Sequence, residues 1–323
     1  MHVLVTGGAG YIGSVTGALL LDEGHSVTVF DNLELGHRAA IDTRAALMVG
    51  DLRNADAIDR AIAETRPDAV MHFAADALVG ESMAQPERYF GNNVAGGLNL
   101  AAAMLRHGVR RIVLSSTCAT YGEPERLPIT EDSAQRPTNP YGESKLMLER
   151  ALDWYRRLHG LHVVSLRYFN ACGAAGGRGE DHSPETHLIP ILLQVALGQR
   201  EQACIHGDDY PTPDGSCIRD YIHVSDLARA HLLALTTPAS GAFNLGTGSG
   251  FSVKQVLAAA RAVTGHPIPA SVGPRRPGDP PVLVAAADKA RQVLGWTPQI
   301  TAIEDIIASA WEWHRAHPDG YGG

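Results

Sequence analysis

The stretch "VTGGAGYIG" at residues 5–13 constrains this chain more than any other part of it. It leaves a short apolar run, "HVLVT" (2–6), and opens a helix-period segment, "YIGSVTGALLLDEG" (11–24), closed by Gly24. Strand, glycine turn and helix in that order let backbone amides approach a pyrophosphate, and the helix N-terminus adds a favourable dipole. Gly7, Gly10 and Gly13 supply the turn, with Tyr11 and Ile12 at its helical exit. The segment therefore predicts a dinucleotide site. The next apolar run, "SVTVFD" (26–31), ends in Asp31, followed by Asn32. A carboxylate there can accept hydrogen bonds from an adenosine ribose and would repel a 2′-phosphate, so NAD is expected rather than NADP.

The rhythm continues in the same sense. "ALMVGD" (46–51), "AVMHFAA" (69–75), "RIVLSS" (111–116) and "LHVVSLRYF" (161–169) read as strands. Helical segments are expected over 54–65, from about 86 to 107, and from Tyr141 to about 159. Such alternation predicts an α/β, Rossmann-type, doubly wound parallel sheet. Asp51 and Leu52 would then face the adenine end, and Phe73, Ala74 and Ala75 would turn against the cofactor. Beyond 170 the rhythm breaks into a Gly-rich polar stretch (170–187) and shorter pieces, with helices at 188–198, 252–264 and 301–317. The reading is a nucleotide-binding domain over 1–169 and a smaller α/β substrate domain over 170–323, closely packed and with some interleaving of segments.

Composition removes other classes. The 323 residues are 45% apolar with a net charge of −8, which argues against a nucleic-acid binder. Apolar runs fall short of the roughly 18 residues of a membrane span, and the N-terminus enters a strand at once, so a cytoplasmic protein is expected. The four cysteines form no CxxC, and the fifteen histidines include no HExxH, so no metal site is expected.

"NPYGESK" (139–145) carries the chemistry. Tyr141 and Lys145 stand four apart at a helix start, on one face. A tyrosine with a pKa near ~10 is a poor base at neutral pH, and a lysine ammonium beside it would favour the phenolate. "LSSTCATYG" (114–122) ends the fifth strand, where ligands bind in such sheets, and offers Ser116 or Thr117 to a substrate oxygen.

Taken in order, "TGGAGYIG", "HFAA…VGES", "SSTCATYG", "PYGESK", "LRYFN", "GDDYPTPDGSCIRDYIHVSDLA" and "RRPGD" span nearly the whole chain. Together they closely resemble the UDP-galactose (UDP-glucose) 4-epimerases of the extended short-chain dehydrogenase/reductase superfamily. The resemblance implies an isomerase with bound NAD. Tyr141 would take the proton of the sugar 4-hydroxyl, Lys145 would hold the nicotinamide ribose and lower the tyrosine pKa, and Thr117 would hold the sugar oxygen. It implies cofactor contacts from Asn92, Ser115 and Tyr168. On the UDP-hexose side it implies Asn170, His187, Leu188, Arg219, Tyr221, Arg276, Asp279 and Leu283. Two positions depart from the family: some bacterial members carry Lys where Ala77 stands, and many carry Asn where His187 stands. The family also implies a homodimer through the helices near 86–107 and 140–159.

Other readings remain open on the same fold. A 4,6-dehydratase would carry Asp-Glu after the catalytic threonine, whereas Thr117 is followed by Cys118 and Ala119. An epimerase of N-acetylated UDP-hexoses is a closer alternative. An NAD-sensing regulator without catalysis would be marked by loss of Tyr141, Lys145 or Thr117, and all three are present.

Overall fold

The computed structural model describes residues 1–276 and 278–322. The first half runs β1 (His2–Thr6), α1 (Tyr11–Asp22), β2 (Ser26–Asp31), β3 (Ala46–Val49), α2 (Ala55–Thr65) and β4 (Ala69–His72). There follow α3 (Val79–Ala84), α4 (Pro86–Tyr89), α5 (Gly97–Arg106), β5 (Arg111–Thr117), α6 (Pro140–His159) and β6 (His162–Tyr168). The strands alternate their side chains between two helical layers, as a sheet buried on both faces requires. Val3, Val5, Val29, Met71 and Val113 share one core with Leu20 of α1. Leu4, Phe30, Val70, Ile112 and Leu114 share the other with Ile58, Leu100, Leu148 and Leu152, from α2, α5 and α6. Each large aliphatic side chain so buried stabilises by about 1.5–3 kcal/mol.

The second half runs β7 (Asn170–Cys172), α7 (Leu188–Ala196), β8 (Ala203–His206), β9 (Ile218–Arg219), β10 (Tyr221–His223) and α8 (Val224–Thr236). Then come β11 (Gly241–Leu245), β12 (Phe251–Ser252), α9 (Val253–Thr264), β13 (Ala270–Gly273), β14 (Val282–Leu283) and α10 (Ile303–Ala316). Helices α7, α9 and α10 close a core of their own through Ile189, Leu193, Val256, Ala260, Ile306 and Ile307. The chain crosses the expected boundary at 169/170. Strand β11 pairs in parallel with β6 and completes a seven-stranded sheet of order β11-β6-β5-β4-β1-β2-β3. Helix α8 adds Leu227, Ala230 and Ala234 to the first core.

One expected helix is divided. Between α4 and α5, residues Phe90–Gly96 form a π-helical turn instead of continuing as α-helix. The wider turn presents two consecutive asparagines to one partner. Asn92 Nδ2 donates to Asp76 Oδ2 at 3.0 Å, and Asn93 accepts from Asp76 N at 2.9 Å.

Candidate active site

Strand order reverses between β4 and β1, which makes a crevice at their carboxyl ends. The glycine turn closes onto that crevice. Gly7 has φ +74°, and a Cβ there would stand 2.4 Å from Ala74 N; a Cβ on Gly13 would stand 2.2 Å from Gly7 O. No side chain caps the N-terminus of α1, and its first turn holds no acid. Its leading N–H groups therefore lack intrahelical acceptors and suit a phosphate anion. Tyr11 is spoken for elsewhere: its hydroxyl donates to Gly173 O at 2.5 Å. Buried Asp31 accepts from Ala9 N and from Leu33 N, each at 2.9 Å, and so holds the glycine turn against the end of β2. A carboxylate has further acceptor sites, so this brace leaves capacity for ribose hydroxyls. Asn32 donates to Asp51 Oδ2 at 3.2 Å, and Arg53 holds the Asp51 carboxyl down at about 2. Leu52 is buried; Phe73 and Ala74 both donate backbone N–H to Thr6 O. The residues present thus fit a dinucleotide along this edge.

The opposite wall is set by α6. Asn139 caps it, accepting from Gly142 N at 2.9 Å, and Pro140 begins it. A Cβ on Gly142 would lie 2.5 Å from Ala119 O, so the helix start sits hard against the turn after β5. That approach sets Tyr141 near the Thr117 side chain, which favours the phenolate; Thr117 Oγ1 itself accepts from Ala119 N at 3.1 Å. Lys145, one helical turn on, is buried and donates Nζ to Ser115 O at 2.9 Å. The next turn carries Glu149, which pairs with Arg167 (Nη2 to Oε2, 2.5 Å) while Ser116 Oγ donates to its other oxygen. Arg167 also reaches Tyr121 OH at 2.9 Å, and Tyr121 donates to Asn244 Oδ1 at 2.6 Å. Ser115 Oγ and Tyr168 OH are hydrogen-bonded to each other.

The electrostatics correct one expectation. Burial pushes Tyr141 up to about 12, eased by the nearby Thr117 side chain, and the lysine charge is not among its causes. Burial also brings Lys145 down to about 8, against the charges of Glu149 and Asp76. In the chain itself the ammonium is directed at a backbone carbonyl, so Lys145 does not lower the tyrosine pKa unaided.

On the second lobe, several expected substrate residues gather and others do not. Arg219 and Asp279 are paired at 2.5 Å. Leu283 lies opposite Arg219 in register and, like Cys118, packs against the buried cluster of Tyr121, Ile129, Phe169 and Ala285. Arg276 is exposed, and its carbonyl accepts from Asp279 N at 3.2 Å. Tyr221 is in the core of the second lobe, in register with Asn170, and Leu188 packs against that core. His187 turns Nδ1 to Glu180 and Glu185 at 3.0 and 2.8 Å. Asn92 faces Asp76. Ala75 is half-buried and Ala77 exposed.

Three supporting residues escaped the sequence reading. Asn93, fully buried, joins Asp76 to Ser144 of α6 (3.0 Å). Asp220 accepts from Thr247 N, Thr247 Oγ1, Gly248 N and Ala285 N and so anchors β14 beside the site. Glu149 was legible only as the next i+4 position after Lys145.

The comparisons define the class. Residues 3–246 match the model of the NAD dependent epimerase/dehydratase family, and the chain belongs to that family. Within it, the chain is 55% identical to the UDP-glucose 4-epimerase of Halalkalibacterium halodurans, covering 99% of this chain and 98% of the relative. A crystal structure of a UDP-glucose 4-epimerase superposes with a TM-score of 0.97 at 50% identity, covering 100% of both chains. The UDP-glucose 4-epimerase of Bifidobacterium longum, solved with NAD+ and UDP, superposes at 0.94 with 40% identity, covering 99% of this chain and 100% of that one.

Proposed function

We propose that this chain is an isomerase that interconverts UDP-galactose and UDP-glucose, using NAD. The observation that carries the reading is the gathering of Tyr141 and Lys145, one turn apart on α6, against Ser115 and Thr117 at the carboxyl end of β5, in the same sheet whose β1 leads into the glycine turn. Bound along that edge, NAD would take hydride from sugar C4 and return it to the other face of the same carbon. The chain's own task is the proton. Tyr141 would accept it from the 4-hydroxyl and later give it back, with Thr117 holding the oxygen and bridging the transfer. A base at about 12 is too weakly acidic to be a phenolate at neutral pH, so a positive charge over the ring must make up the difference. Oxidised NAD, when bound, would supply that charge, and Lys145 would hold its nicotinamide ribose.

Facial exchange at C4 requires the hexose to turn while the nucleotide stays fixed. The two ends of the pocket suit that division. Arg219, Arg276 and Asp279 offer ionic groups to the diphosphate and ribose, with Asn170, Leu188 and Tyr221 in the supporting layer. Leu283 and Cys118 offer the sugar an apolar wall without fixed partners. The test is product analysis with UDP-galactose: UDP-glucose should form without added reductant, and Tyr141→Phe should lower the rate by ~10²–10⁴-fold with the nucleotide still bound. A variant retaining half its activity would overturn the assignment of the base.

A homodimer is part of this proposal. Met147, Trp154 and Leu158 stand 41, 59 and 68% exposed and recur along one face of α6, a stripe that a second copy would cover. None of the helices among the described residues is long and apolar enough to cross a membrane. The four free thiols suit a reducing cytoplasm, where we place the protein.

A further inference from the structure

The segment between β7 and α7 gathers two histidines and two glutamates in "EDHSPETH" (180–187). One ligand atom from each of Glu180, His182, Glu185 and His187 lies within 4.8 Å of the others. His187 Nδ1 stands 3.0 Å from Glu180 Oε1 and 2.8 Å from Glu185 Oε1. His182 Nδ1 stands 3.4 Å from Glu180 Oε1 and 3.9 Å from Glu185 Oε2. Four ligands about 2.0–2.2 Å from one zinc ion would be separated by about 3.4 Å, so these spacings bracket a tetrahedral edge.

The charge balance points the same way. The Glu180 and Glu185 side chains are only 6% and 3% exposed, and among the described residues neither forms a salt bridge with a lysine or arginine. Arg200 donates to the backbone carbonyl of Glu185, not to its carboxylate. Two carboxylates removed from water need compensating charge. The buried Nδ1 of His182 has no hydrogen-bond partner, although it faces both acids. A divalent cation answers both needs at once.

We propose that Glu180, His182, Glu185 and His187 form a structural site for zinc or a similar divalent transition ion. Two imidazoles with two carboxylates favour such an ion over magnesium or calcium, which prefer six or more oxygens. Four protein ligands leave no open position, which marks the site as structural rather than catalytic. It ties together three parts of the molecule through the residues around it. Asp181 O is bonded by His37, whose own N–H donates to Ala9 O in the glycine turn. Asp181 also accepts from Tyr321 N, and His187 leads directly into α7. The absence of HExxH hid the site from the sequence, because its spacing is Glu-x-His-x-x-Glu-x-His on an irregular loop.

The full chain, stripped with a strong chelator, should be titrated with Zn2+ against a chromogenic competitor and with Co2+ by visible absorption. One equivalent per chain is expected, with the intense d–d absorption of tetrahedral cobalt. His182→Ala with His187→Ala should weaken binding by at least ~100-fold, whereas His266→Ala, exposed just beyond the end of α9, should not change it. Restoring Zn2+ to the stripped wild-type chain should raise its Tm, a readout that needs no variant to fold. Substoichiometric binding, an octahedral cobalt spectrum, equal affinity in the double variant, or a Tm indifferent to zinc would each overturn the proposal.

Discussion

At the scale of single residues, two side chains make opposite use of burial. Tyr141 is raised by it to about 12, so as the proposed base it would need a bound positive charge; His72 is brought down to about 3 and stays neutral. His72 shares a hydrogen bond of 2.7 Å with Thr6 Oγ1 at the heart of the β1–β4 crevice. The unfolded chain takes up this proton below its ordinary value of 6.5, while the folded chain resists until about 3. Stability from His72 is therefore complete above 6.5 and is lost as pH falls toward 3, by up to about 1.4 kcal/mol per pH unit. His72→Gln, which can keep the bond to Thr6, should flatten that limb of the stability–pH curve in denaturant titrations. An unchanged slope would show that other groups, such as buried His231, govern acid unfolding. Leu283 carries a second prediction. On the proposed reading it would bound the sugar pocket together with Cys118, and fit differences there are worth ~1–3 kcal/mol. Turnover of UDP-glucose and UDP-galactose should dominate over the N-acetyl pair. Leu283→Tyr should depress any N-acetyl turnover ~10-fold or more beyond its effect on UDP-galactose; equal losses would make Leu283 a packing residue only.

At the scale of elements, α6 is held from three sides: by its cap at Asn139, by the Gly142 contact with Ala119, and by the buried Glu149–Arg167 pair. Glu149→Ala strands a buried guanidinium and should cost about 3–5 kcal/mol in urea unfolding. Glu149→Leu with Arg167→Met should recover most of that loss. If the double change is as damaging as the single, the pair is not the source. The first-half elements were legible because strands buried on both faces read as unbroken apolar runs, each followed by a 3.6-period segment. The second half resisted for the same physical reason in reverse. Strands β9, β12 and β14 have two residues each, too short to show a period, and exist because long-range pairing places them. The π turn at 90–96 was invisible because it answers to Asp76, a partner outside its own segment. Spacing singled out Tyr141 and Lys145, the end of the fifth strand singled out Thr117, and the family resemblance supplied their expected roles. Their hydrogen-bond partners could not be read in this way, since Lys145 meets a backbone carbonyl 30 positions away.

At the scale of the whole molecule, the exposed stripe of α6 sets the expectation for assembly. Trp154→Glu puts a charge at its centre, where a desolvated carboxylate would oppose association. Sedimentation should show the wild-type chain as a dimer and the variant shifted to monomer at the same concentration. Identical profiles would remove α6 from the interface. A last consequence lies in the sheet order. Strand β11 completes the nucleotide lobe, yet it is translated long after β6, its only neighbour in that sheet. At about 5–20 residues per second the ribosome leaves the β6 edge open for several seconds. During that interval a row of unpaired backbone groups, flanked by buried valines, is available to any other strand. The nascent chain therefore has no early stopping point: its first lobe becomes whole only when much of the second has been made, so the two are born as one folding unit.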